Sequence, residues 1–343
     1  MLISEFDYEL PDELIAQAPP DKREDSKMLA VDRSSAALKD LSFRDFPSLV
    51  GKNDLLVVNN TKVFPARLIG RSETGAKIEL FLIEELSERR WETLAKPVRR
   101  LRPGKRLFFG EKLSASVAEI TSEGRVIAEF EFEGEFDFVL DSIGKTPLPP
   151  YIKRENEGPD SDRERYQTVY ARQRGAIAAP TAGFHFTPEI IGQVKDRAAE
   201  FAEITLHVGY GTFEPVRVED LSGHTVQPEK FEIDEETAET LNRAKTDERR
   251  IVAVGTTTTR ALETCVTKNG KFVPGKQTAD LTITPGYRFG AIDALLTNFH
   301  LPRSSLLVLV STFGGHQLIM GAYRHAVRER YRFYSYGDCM FVY

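Results

Sequence analysis

The run Ala128–Leu140 reads AEFEFEGEFDFVL, with Phe130, Phe132, Phe136, Phe138 and Leu140 on one parity and Glu129, Glu131, Glu133, Glu135 and Asp137 on the other. A period of two puts aromatic side chains on one face of an extended chain and carboxylates on the opposite face. It therefore predicts one or two half-buried antiparallel strands with an acidic outer surface. Lys77–Ile83, Trp91–Ala95 and Leu113–Ile120 read as further short strands between Gly and charged turns. Residues 67–147 thus read as a small all-β, barrel-like domain. Charge within it is segregated. Arg89–Arg106 holds eight basic residues and one acid, and Leu107–Gly144 holds nine acids and two bases.

These blocks cancel in the total, a formal net charge of −6 over 343 residues. That total excludes a generally basic protein that binds any polyanion, and leaves room for a local basic face. Cys265 and Cys339 are too few for a disulfide framework or a four-thiolate zinc site, and fit a reducing cytosol. No run approaches the roughly 18 apolar residues of a membrane span, and no signal-peptide pattern opens the chain. The expectation is a cytoplasmic protein with no membrane association.

Outside residues 67–147 the pattern is α/β. Leu55–Val58, Phe201–His207, Ile251–Val254 and Leu306–Val310 read as strands. Thr187-Pro188-Glu189 opens a helix with an N-cap and a proline at its first position; Glu235–Lys245, Thr259–Lys268 and Gln317–Arg330 read as further helices. Thr146–Tyr166, with three prolines in four residues, reads as an extended connector. The fold class expected is an α/β main domain, residues 1–66 and 148–343, interrupted by the inserted all-β domain of residues 67–147.

Five segments of the main domain could carry chemistry. AAPTAGFHFT (Ala178–Thr187) combines small residues at Thr181 and Gly183 with His185, which alternates with two phenylalanines. TLHVGYGTF (Thr205–Phe213) ends a β-branched strand at His207 and Gly209, where open α/β sheets bind ligands. IVAVGTTTTR (Ile251–Arg260) runs a buried strand into a helix N-terminus at Gly255, Thr256 and Thr257, a geometry suited to a carboxylate and lacking the lysine of a phosphate loop. The same threonines would also serve as ordinary helix caps. Arg260 suits either a two-pronged carboxylate clamp or an ion pair. TNFHLP (Thr297–Pro302) brings Asn298 and His300 to the start of an apolar run, in what is otherwise a folding turn. YRFYSYGDC near the C-terminus mixes aromatic groups with Arg332 and Asp338, a combination that stacks on nucleobases but also fills ordinary buried corners. No spacing supports a metal site.

Taken in order, ELPDELIAQ, NNTKVFPARL, LPPYI, YQTVYA, AAPTAGFHFT, TLHVGYGTFEPV, VGTTTTRALE, TNFHLP and YRFYSYGDCM resemble the S-adenosylmethionine:tRNA ribosyltransferase-isomerase family of queuosine biosynthesis, from Phe6 to Phe341. The chain departs from that pattern at Asn60 and Lys62, where the family has Asp and Arg. It departs again at Phe184 (Leu in the family), at Gln227 (His) and at Leu281–Thr284. The resemblance implies an α/β domain with a β-barrel, and a cytoplasmic monomer that consumes S-adenosylmethionine as ribosyl donor with no other cofactor. It also implies a partner, a tRNA with a GUN anticodon carrying 7-aminomethyl-7-deazaguanine, converted to epoxyqueuosine tRNA with release of adenine and methionine.

Against that chemistry, His207 or His185 is expected to act as base, the other assisting and His300 in support. Thr181, Gly183, Gly209, Gly255, Thr256, Thr257, Arg260 and Asn298 are expected to bind S-adenosylmethionine. For tRNA phosphates the densest candidates are Arg99, Arg100, Arg102, Lys105 and Arg106, whose rival reading is a solvated turn paired with the domain's own acids. Lys153, Arg154, Arg163 and Arg165 are second choices. Competing functions are a nucleoside transferase that needs no RNA and a non-catalytic RNA-binding module.

Overall fold

The computed structural model describes residues 1–154, 162–213 and 216–343. Residues 155–161 of the expected connector lie outside that range. The chain opens with an antiparallel pair, β1 (Lys27–Asp32) and β2 (Ala37–Ser42), followed by β3 (Asp54–Asn59) and β4 (Thr61–Val63). Six strands then follow, with a single 3-10 turn, Val98–Arg100, between the third and fourth: β5 (Arg67–Ser72), β6 (Lys77–Ser87), β7 (Arg90–Lys96), β8 (Arg106–Phe109), β9 (Leu113–Ile120) and β10 (Val126–Phe132). They close into an antiparallel barrel in the order β10-β7-β6-β5-β8-β9. Alternate residues, among them Ile78, Leu80, Leu82, Ala115, Val117, Ala128 and Phe130, fill its interior.

The two-residue alternation expected from Ala128 to Leu140 stops at Phe132. After Gly134 the chain forms α1 (Phe136–Ile143), whose Val139 and Leu140 plug the barrel core while Phe138 stands 78% exposed. Phe136, Val139, Leu140 and Ile143 are also spaced three and four apart, so this stretch satisfied both periods, and the helical one prevails because it presents four apolar groups to the barrel.

The main domain resumes with α2 (Asp162–Arg165) and β11 (Gln173–Ala176), which pairs in parallel with β4. It continues through α3 (Pro188–Asp196), β12 (Glu200–Leu206), β13 (Glu229–Ile233), α4 (Glu235–Thr246), β14 (Arg250–Val254), α5 (Thr256–Asn269), β15 (Gly275–Ala279), β16 (Ala294–Asn298), α6 (Ser305–Gly314), α7 (His316–Arg328) and β17 (Cys339–Val342). The nine-stranded sheet has the order β15-β13-β12-β3-β14-β16-β17-β1-β2, and β12, β3, β14 and β16 are mutually parallel. Its central strands are apolar on both faces. Leu55 and Val57 of β3 pack with the layer of α4–α7, and Leu56 and Val58 with α3 and the Phe43–Phe46 turn; Ile251, Ala253 and Val252, Val254 of β14 divide the same way.

Leu306–Val310, expected as a strand, is the body of α6. The hydroxyl of Ser304 caps it by accepting from the Leu307 amide at 3.2 Å, and Leu307, Val308, Leu309 and Val310 are all buried. An apolar run buried on every side shows no periodicity, so only the cap distinguishes helix from strand. α5 also starts at Thr256, three residues before the expected Thr259. Among the described residues no single helix is long and apolar enough to cross a membrane.

Barrel closure depends on a close approach at Gly70, where an added Cβ would lie 2.3 Å from the Phe108 carbonyl and 2.5 Å from the Phe109 ring. Gly70→Ala is expected to cost about 1–3 kcal/mol through overpacking. Trp91, the chain's one tryptophan, lies on β7 inside this domain. Its fluorescence should therefore shift to a lower urea midpoint in Gly70→Ala, and an unmoved midpoint would show that β5 and β8 can part without cost.

Candidate active site

The parallel strands β12, β3, β14 and β16 end on one edge, which collects His207, Asn59–Thr61, Gly255–Thr257 and Asn298–His300. The Asn59 side chain ties two of these ends together, donating from Nδ2 to the Leu206 carbonyl at 2.9 Å and accepting from the Leu206 amide at 3.0 Å. Above the edge is an open cleft, lined by Thr181, Gly255, Thr256, Thr257, Asn298 and His300 from the expected set. The other walls are Tyr151, Tyr166, Phe299, Tyr334 and Ser335. An apolar, aromatic cleft with a few converging polar groups is the usual form of a small-molecule site.

The start of α5 has no side-chain cap. Thr258 and Thr259 turn their hydroxyls back onto the carbonyls of Val254 (2.8 Å) and Gly255 (3.1 Å), while Thr256 and Thr257 line the cleft. The first-turn amides, with the positive end of the helix dipole, are thus offered to an anion instead of being capped. Arg260 is committed elsewhere. Its Nη2 lies 2.9 Å from Glu229 Oε2 and donates to the carbonyls of Gln227 (2.8 Å) and Ala279 (3.0 Å), and the ion pair is buried. Of the two roles its sequence context allows, the ion pair is the one it fills. Gly209 supports the same carboxylate, its amide donating to Glu229 Oε1 at 3.0 Å. Gly183 backs onto Tyr170 and Thr168 away from the cleft.

The three histidines are separated. His300 lines the cleft, with Nε2 2.9 Å from Thr297 Oγ1 and its backbone held by Tyr8 and Tyr323; burial pushes its pKa down to about 3. His185 lies behind Asn298. The Asn298 amide nitrogen donates to the carbonyls of Tyr334 (2.9 Å) and Ser335 (3.3 Å), which turns Oδ1 toward His185 Nε2 at 3.1 Å. His185 therefore carries its proton on Nε2, leaving Nδ1 as its basic atom. Burial lowers its pKa to about 4. His207 is half-buried, its Nδ1 2.8 Å from Thr61 Oγ1, and burial lowers its pKa as well. Its ring occupies the space a side chain at Gly175 would need, a Cβ there falling 2.7 Å from Cε1, and Gly175 has φ of +151°.

Asn60 suits its surroundings. Its carboxamide accepts from Thr205 Oγ1 at 2.7 Å and donates to Glu203 Oε2 at 3.0 Å, and an aspartate there would face the glutamate with like charge. The expected basic run lies on the β7–β8 connection. Arg99, Arg100 and Arg102 are exposed and form no ion pair among the described residues, whereas Lys105 donates to the Arg100 carbonyl and Arg106 pairs with Glu131 at 2.6 Å. Of the second choices, Arg154 is neutralised by Asp162 and Arg163 by Asp141. Sequence reasoning weighed Tyr334 and Ser335 only within a segment that also reads as a buried corner, and did not single out Tyr151 or Tyr166 as site residues. Their signal was present in LPPYI, YQTVYA and YRFYSYG, but nothing local separates a cleft wall from a buried aromatic corner.

His185 and His300 titrate in the folded chain below the ordinary 6.5, so under pH 6.5 the unfolded chain binds more protons. Their contribution to stability is complete above pH 6.5 and declines as pH falls toward 4. Urea melts between pH 7.5 and 5 should show this loss. His185→Gln, which keeps a donor toward Asn298 but cannot titrate, should show less of it; identical slopes would mean that His185 does not enter the acid response.

Comparison with known proteins agrees along the full length. Residues 3–342 match the family described as queuosine biosynthesis protein. S-adenosylmethionine:tRNA ribosyltransferase-isomerases of Natranaerobius thermophilus and Symbiobacterium thermophilum are 50% and 48% identical, with all of this chain aligned to 99% and 100% of theirs. The crystal structure of S-adenosylmethionine tRNA ribosyltransferase from Thermotoga maritima is 36% identical, with a TM-score of 0.57 over 99% of this chain and 100% of that one.

Proposed function

The chain belongs to the queuosine biosynthesis family of S-adenosylmethionine:tRNA ribosyltransferase-isomerases, and from that premise we propose that it transfers and isomerises the ribosyl group of S-adenosylmethionine onto 7-aminomethyl-7-deazaguanine at the wobble position of a GUN-anticodon tRNA. The products are epoxyqueuosine tRNA, adenine and methionine. It acts as a cytoplasmic monomer and needs no further cofactor. The observation that carries this reading is the pairing, in one cleft, of aromatic walls with the uncapped start of α5. Tyr151, Tyr166 and Tyr334 suit a stacked adenosine, and the α5 amides suit the methionine carboxylate.

The sulfonium acidifies the C5′ hydrogens. Of the three histidines, His300 is the one whose ring lines the cleft, and it is neutral at pH 7. It takes the C5′ proton; the carbanion's electron pair forms C4′=C5′ as C4′–O4′ breaks, the O4′ pair forms a C1′ carbonyl as the C1′–N bond breaks, and adenine leaves with the proton that His300 holds. The aminomethyl nitrogen of the RNA then bonds to C1′ and gives up a proton. His207, half-buried beside Gly175 and Thr61 just past the end of β12, accepts that proton. Epoxide closure breaks the bond to sulfur and releases methionine. His185 acts through Asn298, fixing its carboxamide. Arg99, Arg100 and Arg102 supply phosphate contacts from the barrel.

Protein, S-adenosylmethionine and precursor-bearing tRNA together should yield adenine and the epoxide nucleoside, and free 7-aminomethyl-7-deazaguanine should not substitute for the tRNA. His300→Ala should slow adenine release by about 10²–10⁴-fold; near-normal turnover would remove His300 from the reaction. Decarboxylated S-adenosylmethionine should bind about 10- to 100-fold more weakly, the worth of charge-assisted hydrogen bonds. Equal binding would place the carboxylate away from α5.

A further inference from the structure

A second, narrow surface cleft opens beside the first and is lined by Pro20, Arg23, Arg165, Phe184, His185 and Ser335, among others. Ser335 lines both clefts, and the His185–Asn298 hydrogen bond of 3.1 Å forms part of the wall between them. Two guanidinium groups face this space, and both are held only by backbone carbonyls. Arg23 donates to Phe184 O at 3.1 Å and Glu164 O at 3.2 Å; Arg165 donates to Asp21 O at 3.2 Å and to Pro20 O. Neither forms an ion pair with a carboxylate among the described residues, in contrast to Arg154 and Arg163 nearby, which do.

Carbonyl hydrogen bonds fix a guanidinium without neutralising it. Burial and then the neighbouring Arg165 both lower the pKa of Arg23, so the two charges repel each other in a partly desolvated place. Arg165 Nε is buried with no acceptor at all. The Arg23 guanidinium carbon also sits 5.8 Å over the Phe184 ring, which restricts the plane of its fork. An arrangement of this kind spends folding energy on two oriented, uncompensated cations, and an anion is what offsets that cost.

We infer that the Arg23–Arg165 cleft is an anion subsite that receives a phosphodiester of the RNA strand next to the nucleotide being modified. This rests on the RNA reading of the preceding subsection. The other substrate carries one anionic group, its carboxylate, and the start of α5 already meets it. A polynucleotide threaded into the main cleft necessarily carries phosphates on either side of the inserted base, and the shared wall puts the arginine pair beside that path.

Binding of precursor-bearing tRNA to the intact protein, titrated over salt, tests the assignment. Arg23→Gln/Arg165→Gln should raise the Kd for tRNA about tenfold or more and reduce the slope of log K against log salt by roughly 0.7–0.9, one phosphate contact. The calorimetric Kd for S-adenosylmethionine should stay within about twofold. Arg23→Lys/Arg165→Lys, which keeps both charges, should recover the salt slope. An anticodon stem-loop with neutral methylphosphonate linkages flanking the wobble nucleotide should lose affinity for the wild type and lose little more for the double variant. Unchanged tRNA affinity and slope in folded Arg23→Gln/Arg165→Gln would overturn the inference. Weakened S-adenosylmethionine binding with tRNA binding intact would overturn it too, by making the ligand a carboxylate. Wild-type protein that releases no adenine with tRNA would instead count against the underlying function, and is scored before any variant is compared.

Discussion

Everything at the site depends on four parallel strands stopping at one level. The central strands β3 and β14 are apolar on both faces, and their pairing with β12 and β16 leaves little freedom of register, because a slip of one residue would exchange the side chains of the α4–α7 layer with those of the α3 layer. Fixed register sends each strand into its following loop at the same edge. His207, Gly255, Asn298 and Asn59 come from points spread over 240 residues, yet they are neighbours for this one reason. Asn59, bonded to both main-chain groups of Leu206, is the polar stitch that holds the edge where the hydrophobic layers end.

Most of this architecture was legible before any coordinates. Strand runs such as Leu55–Val58, Leu113–Ile120 and Ile251–Val254 were visible from composition and alternation, and Thr187-Pro188 announced α3. Two readings failed for a shared reason. Phe136–Leu140 and Leu306–Val310 have apolar residues dense enough to satisfy both helix and strand, so periodicity carried no decision, and the outcome fell to packing in α1 and to a single serine cap in α6.

The site was legible in a different proportion. The Gly-Thr turn and the Asn298–His300 segment were marked by type and spacing, and both line the main cleft. The histidines were less transparent, since sequence puts no distance between His185 and His300, and the interposed Asn298 is visible only in three dimensions. Arg260 shows the same limit from the other side. Its position after a helix N-terminus suggested a ligand contact, but Glu229, more than thirty residues earlier, had already claimed its charge. The aromatic walls were hidden because tyrosines in a cleft and tyrosines in a core are the same letters.

The barrel joins the main domain at Ala66 and again near Thr146, and at that point Arg67 and Lys145 exchange both of their main-chain hydrogen bonds, at 3.2 and 2.8 Å. Next to this clasp β4 and β11, one on each side of the insertion, pair in parallel. A visitor that enters and leaves through one doorway does not interrupt its host. The main sheet has its full complement of strands whether or not residues 67–145 are present, so the two parts can diverge under separate pressures. The α/β domain carries the cleft, and the barrel carries the exposed arginines Arg99, Arg100 and Arg102, so a change in one need not disturb the other.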